Sequence, residues 1–340
     1  WNKIWKQTRQ WSIDAIYRIF KEMGIPIDVQ YYESELIDDT DRIVTNLIDR
    51  KIAVESEGAI IVNLEDEGFG VNLLRKTDGT YLYNAKDLAL AERKSGDHDL
   101  DRSIIVVDKR QSLAMNQLFE TLKLMGVDIP YEHLSYGFIT LPEGAMSSRK
   151  GNIIRYEELV EMLNDAAYKE TAERHEDWTE KRLRATSSGI AHGSMIYAMV
   201  KSDSSKDIVF SIDEALSFDG MSGPYLLYSA SRIESLFEKS EVKPKFNASI
   251  ISSPESKELV NLIAKFPEVV QDSASELSLA DVPQYAFDLA QSFSAYYAVE
   301  RIIEEDDPDG TSARLALAGA VLVTLKNALA IMNIQSLKEM

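Results

Sequence analysis

Gly144–Asn152 reads GAMSSRKGN, a short polar and cationic loop between an apolar run and an acidic stretch. Upstream, Leu134, Tyr136, Phe138 and Ile139 have strand character, and Pro142, Glu143 and Gly144 turn the chain. Downstream, Tyr156 to Tyr168 is expected to be helical. On a loop that follows a strand, the hydroxyls of Ser147 and Ser148 and the cations of Arg149 and Lys150 can converge on phosphate oxygens. That suits phosphoryl or nucleotidyl chemistry. Read alone, the same residues equally fit a solvated basic loop.

Working outward toward the N-terminus, Ile104 to Val107 is a short β-branched run. It precedes a helix expected over Leu113 to Met125, with Gly126 as its cap and Pro130 beyond. Strand, helix and strand ahead of the loop predict a βαβ unit with a parallel sheet. Further upstream, Val71 to Leu74, the turn Thr77-Asp78-Gly79 and Tyr81 to Tyr83 read as a hairpin, followed by a helix over Lys86 to Lys94. Ala59 to Val62 reads as a buried strand. A helix from about Asp41 carries Val44, Leu47 and Ile48, and Ile27, Val29 and Tyr31 alternate as a strand would. At the N-terminus, Ile4, Trp5, Ile16, Phe20 and Met23 fall near helical spacing, ended by Gly24 and Pro26.

Beyond Tyr156 strand signals nearly vanish. Tyr285, Leu289, Phe293 and Tyr296 form one helical stripe, and Leu315, Ala318, Leu322, Leu325 and Leu329 another. Thr179 to Val200 and Gly223 to Lys239 have the same periodicity, and Val242 to Ser253 reads as a loop. The expected architecture is therefore α/β followed by all-α, with the stripes as bundle core.

Composition sets the limits. The 340 residues are 45% hydrophobic and 27% charged, as in globular proteins of about two domains. No apolar run reaches the roughly 18 residues of a spanning helix, so no membrane is expected. Without cysteine there is no disulfide, no zinc-thiolate site and no cysteine nucleophile. A net charge of −19 is a poor field for a polyanion, so any RNA surface must be a local patch. The acidic runs Glu65 to Glu67 and Glu304 to Asp309 are expected to be solvated faces or turns.

Two residues near the hairpin suit a cationic ligand. Tyr83 and Asp87 stand four positions apart, so a carboxylate and a phenol can meet one guanidinium. The bland alternative is a strand tyrosine and a helix-terminus acid.

At these residues a resemblance becomes specific. AMSSRKGN resembles the second signature loop of class I aminoacyl-tRNA synthetases, the KMSKS type. Asp78-Gly79-Thr80, Tyr83 and Asp87-Leu88-Ala89 are similar to the segment with which arginyl-tRNA synthetases hold the arginine side chain. Val106 to Gly126, VVDKRQSLAMNQLFETLKLMG, is similar to theirs too and adds Gln111 as a substrate-facing position. Leu216-Ser217-Phe218, Gly223-Pro224-Tyr225-Leu226 and Tyr285-Ala286-Phe287-Asp288-Leu289-Ala290 resemble their anticodon-binding bundle.

The resemblance runs from Trp1 to Met340. It implies the second half of a Rossmann-type nucleotide-binding domain, residues 1–190, then a helical anticodon-binding domain, residues 191–340.

Three features depart from the family pattern. There is no His-x-Gly-His; His98, His133, His175 and His192 are isolated. The first signature and the first half of the nucleotide fold are therefore expected to lie outside this sequence, and Trp1 in place of an initiator methionine favours a longer parent chain. Ala145 and Ser148 replace the signature lysines, and Ala114 stands where the arginine enzymes usually carry histidine.

What the resemblance implies is an arginine–tRNA ligase that forms arginyl-adenylate from ATP and arginine and passes arginine to tRNA(Arg). Tyr83, Asp87 and Gln111 would hold arginine. Met146, Ser147, Ser148, Arg149 and Lys150 would hold ATP, with Mg²⁺ on the triphosphate, and all of these but Met146 would carry the catalytic charge stabilisation. Tyr225, Tyr228 and Arg232 are candidates for stacking on unpaired tRNA bases. A cytoplasmic monomer is expected. Two alternatives stay open: a non-catalytic relative that binds tRNA or protein, and a class I synthetase for another amino acid.

Overall fold

The computed structural model describes residues 1–142 and 154–340. Ala145, Met146, Ser147, Ser148, Arg149 and Lys150 lie outside them. The chain divides into two compact units, Trp1–Gly137 and Phe138–Met340.

The first unit runs α1 (Asn2–Glu22), α2 (Ile37–Asp49), β1 (Val54–Ser56), β2 (Ala59–Leu64), β3 (Gly70–Arg75), α3 (Tyr83–Asp97), β4 (Ser103–Asp108), α4 (Ser112–Met125) and β5 (Tyr131–Tyr136). Strands β1 to β3 form an antiparallel meander. β4 and β5 pair in parallel, from Ser103 opposite Tyr131 to Asp108 opposite Tyr136. A parallel pair needs a crossover, and α4 supplies it, as the sequence predicts. Gly126 ends α4 at φ 87°, where the lack of a Cβ lets its amide bond back to Leu122 and Lys123. Ile43, Val44 and Leu47 of α2, Val62, Leu64 and Leu74 of the meander, Leu88 of α3 and Leu118 and Leu122 of α4 make one core. Helix α1 buries no residue, and Trp5 and Trp11 are exposed.

The second unit holds β6 (Ile139–Thr140), α5 (Tyr156–Arg174), α6 (Glu180–Val200), β7 (Ile208–Val209), α7 (Ile212–Ala215), α8 (Gly223–Glu238), α9 (Pro254–Glu276), α10 (Asp281–Val299) and α11 (Pro308–Ile331). Helix starts follow the capping rule. Thr179, Ser222, Ser253 and Asp307 each accept from a backbone amide in the first turn of α6, α8, α9 and α11. The α10 stripe Tyr285, Leu289, Phe293, Tyr296 is buried, as are Leu315, Ala318, Leu325 and Leu329 of α11. By length and composition α11 could cross a membrane, but half of that window is buried, which suits the centre of a bundle.

Three expectations change. Ile27, Val29 and Tyr31 form no strand: among the described residues no strand pairs with this segment, and Ile27 and Val29 are exposed. An alternating pattern becomes a strand only when a neighbour takes its backbone groups. Leu134 to Ile139 is not one strand, because β5 stops at Tyr136 and β6 pairs in parallel with β7. Two-residue strands such as β6 and β7 leave no periodicity to read. Tyr83 opens α3 rather than closing a hairpin, whose return arm is short, with an isolated bridge from Tyr81 to Arg75. The acidic run at 304–309 turns at Glu305 and Asp306, which are exposed, and two of its carboxylates are also tied down. Glu304 and Asp307 both accept from buried Arg314, at 3.1 and 3.2 Å.

Candidate amino-acid-binding site

The site is built on the turn that feeds α3. Gly79 takes φ 85°, the Thr80 amide donates to the Asp78 carboxylate at 2.9 Å, and the Leu82 amide donates to the Leu74 carbonyl at 2.9 Å. The chain is thereby delivered to α3 at a fixed angle. Tyr83 is the first helical residue and Asp87 lies one turn on, so both project from one face. Tyr83 is 75% exposed. Asp87 is half-buried, and among the described residues its carboxylate has no hydrogen-bond donor. Burial first, and the nearby Glu33 carboxylate second, push its pKa up to about 6, with Lys86 opposing. A carboxylate held this way gains most from an incoming cation.

Gln111 closes the short helical turn Lys109–Gln111 at the carboxyl end of β4 and caps α4. It is exposed. Its neighbour Arg110 folds back onto Asp108, with contacts of 2.8, 3.0 and 2.9 Å that hold the Asp108 carboxyl below the usual range. Gln111 is thus presented by a rigid corner.

The sequence reading missed two features here. Glu33, on the short turn Glu33–Glu35, pairs with Lys86 beside Asp87. Its distance along the chain hides it. An amide cluster of buried Asn72 and Gln117 with half-buried Asn84 lies beneath the first turn of α3. Asn72 occupies an inward position of β3 beside Leu74, and a polar residue in a core row was the available signal.

In the second unit, Tyr225, Tyr228 and Arg232 share a face of α8 at three- and four-residue steps. The Tyr225 ring packs on Phe287 at 5.3 Å, and the Arg232 guanidinium lies 4.1 Å from the Tyr297 ring centre. Tyr228 is exposed. Arg232 already has an aromatic partner, so its planar cation is pre-oriented. Among the described residues no cluster of three or more acids or histidines could hold a metal.

Residues 1–212 match the catalytic domain of the class I (R) tRNA synthetases, and residues 226–340 match the DALR anticodon binding domain. An arginine–tRNA ligase of Bdellovibrio bacteriovorus is 35% identical over 99% of the chain, and one of Borrelia turicatae is 31% identical over the same share. The chain spans 59% and 60% of those relatives. Among solved structures, arginyl-tRNA synthetase of Plasmodium falciparum superposes with a TM-score of 0.85 at 20% identity, covering the whole chain and 59% of that one. The Thermus thermophilus arginyl-tRNA synthetase gives 0.83 at 24% identity, covering 94% of the chain and 61% of that one.

Proposed function

Since the chain belongs to the class I (R) tRNA synthetases through their catalytic domain, we propose that it forms the arginine-selecting and tRNA-binding part of an arginine–tRNA ligase. The observation that carries this reading is the half-buried, unbonded Asp87 carboxylate set one helical turn from Tyr83 and beside Glu33. An ammonium makes a point contact there, whereas a planar guanidinium offers parallel N–H groups to a carboxylate. Tyr83 adds a phenol to the same group, and Gln111 an amide to its neighbours.

In the reaction, a carboxylate oxygen of arginine attacks the α-phosphorus of ATP. The bond to the bridging oxygen breaks, and pyrophosphate leaves; Mg²⁺ on the triphosphate would help neutralise the charge that develops there. Met146, Ser147 and Ser148 would hold the nucleotide while Arg149 and Lys150 stabilise the charge on the departing phosphates. Ala145 and Ser148 leave this loop fewer cations than the general pattern, which places more of that task on Arg149 and Lys150. The arginyl group then passes to the terminal ribose of tRNA(Arg), which residues 191–340 would hold through Tyr225, Tyr228 and Arg232. Residues 1–190 would form the catalytic portion, and translation in the cytoplasm is the setting.

The test is arginine-dependent exchange of pyrophosphate into ATP, measured with tRNA on the natural polypeptide that contains this sequence. Asp87→Ala is expected to raise the KM for arginine by roughly a hundredfold, as loss of a charged partner does. An unchanged arginine KM would remove Asp87 from the site and the reading with it.

A further inference from the structure

We propose that Asn84 is a positioning residue of the arginine site, acting through Asn72 and Gln117 to fix the first turn of α3 against β3 and α4. The proposal rests on the reading of Tyr83, Asp87 and Gln111 given above. Asn84 stands between Tyr83 and Asp87, on the inner side of the turn that carries them. Its Nδ2 donates to Asn72 Oδ1 at 2.6 Å and to Gln117 Oε1 at 3.4 Å. Asn72 Nδ2 in turn donates to Thr121 Oγ1 at 2.9 Å and to the Gln117 carbonyl at 3.4 Å. Gln117 Nε2 donates to the Phe69 and Val71 carbonyls at 2.8 and 3.1 Å, and Thr121 Oγ1 closes the set on the Gln117 carbonyl at 2.7 Å.

The partners of Asn84 are deep inside, and Asn84 itself is half-buried above them. Asn72 and Thr121 are 0% exposed and Gln117 is 8% exposed. Burying amides among Leu74, Leu88 and Leu118 is costly unless each finds its partner, and leucines of similar volume would hold the elements together as well. What the amides add is direction. Apolar side chains tolerate small rotations of a helix, whereas a chain of donors and acceptors fits one register. The register fixed here is that of Tyr83 and Asp87 on α3 relative to α4, the helix that Gln111 caps. Sites of this kind need their supporting contacts to hold within a fraction of an ångström.

Asn84→Ala removes the donor from Asn72 Oδ1. Asn84→Asp sets a carboxylate oxygen against two acceptors, Asn72 Oδ1 and Gln117 Oε1. Asn84→Ser restores a donor on a shorter arm. All three are made in the natural polypeptide, with arginine-dependent pyrophosphate exchange, melting temperature and amide hydrogen exchange over residues 82–88 as readouts. The expected arginine KM rises about tenfold in Asn84→Ala and further in Asn84→Asp, with partial recovery in Asn84→Ser. The KM for ATP and kcat stay within about twofold, and exchange speeds up in the first turn of α3 but not in α4.

An unchanged arginine KM in both Asn84→Ala and Asn84→Asp, with activity in the wild type, would overturn the positioning role alone. Equal losses toward arginine and ATP would also overturn it, because they report general loosening. Absence of arginine-dependent exchange in the wild-type protein would overturn both the functional reading and this use of the network.

Discussion

Glu33 and Lys86 form an ion pair across 53 positions of sequence, and both charges act on the Asp87 carboxylate. Glu33 raises the Asp87 pKa and Lys86 lowers it, but burial is the largest cause and the result is about 6. Arginine binding needs the ionised carboxylate. The apparent affinity for arginine is therefore expected to fall as the pH drops through about 6, by close to tenfold per unit below it. Glu33→Gln, which withdraws the repelling charge and frees Lys86, shifts that acid limb to lower pH. A pH series of arginine KM on both proteins checks the direction.

The same shift predicts a change in stability. A carboxyl whose pKa is raised in the folded state binds its proton more tightly there than when unfolded. Folding therefore loses stability as pH rises from about 4 to about 6, and the cost is fully present above that. Asp87→Asn should raise the melting temperature at pH 7.5, by about 1 kcal/mol of stability after allowance for partial exposure, and leave it unchanged near pH 4. Thermal melts of the two proteins at the two pH values measure it.

Gly223 is required by a close approach rather than by its backbone angle. A Cβ built there would lie 2.6 Å from the Gly193 carbonyl oxygen, where α8 starts against α6. Neither backbone can retreat without moving a helix. Gly223→Ala is expected to cost about 2–4 kcal/mol, read as a lower urea midpoint with an unchanged slope.

Arg314 is 8% exposed and donates to the Ile302 carbonyl as well as to Glu304 and Asp307. Removing it strands a buried carbonyl and two paired carboxylates at the start of α11. Arg314→Ala should destabilise by about 3 kcal/mol. Because the guanidinium is buried, the loss should persist in 0.5 M salt, where exposed pairs are screened.

Much of the fold could be read from residue order because its signals are local. Gly126 ends α4, the stretch Val242 to Ser253 is a loop ahead of α9, and the stripe of Tyr285, Leu289, Phe293 and Tyr296 turned inward. The reading fell short where a residue's state is set by a distant one. Val29 and Tyr31 alternate, but among the described residues no strand pairs with them. Glu304 and Asp307 look like a solvated run until Arg314, one helix start later, is brought over them. Within the site, Tyr83, Asp87 and Gln111 stood out through a resemblance carried by short motifs, whereas Glu33 reaches Asp87 only once the chain is folded, and the Asn72–Asn84–Gln117 cluster left one sequence trace, a polar Asn72 in a core row.

The measurement that bears most directly on the central claim is a panel of amino acids in tRNA-dependent pyrophosphate exchange, run on the natural polypeptide with wild-type and Asp87→Asn proteins. Saturable exchange is expected with arginine and far weaker exchange with lysine and citrulline, with loss of the arginine preference in Asp87→Asn. Exchange that favours any other amino acid, or an arginine preference that survives Asp87→Asn, would contradict that claim.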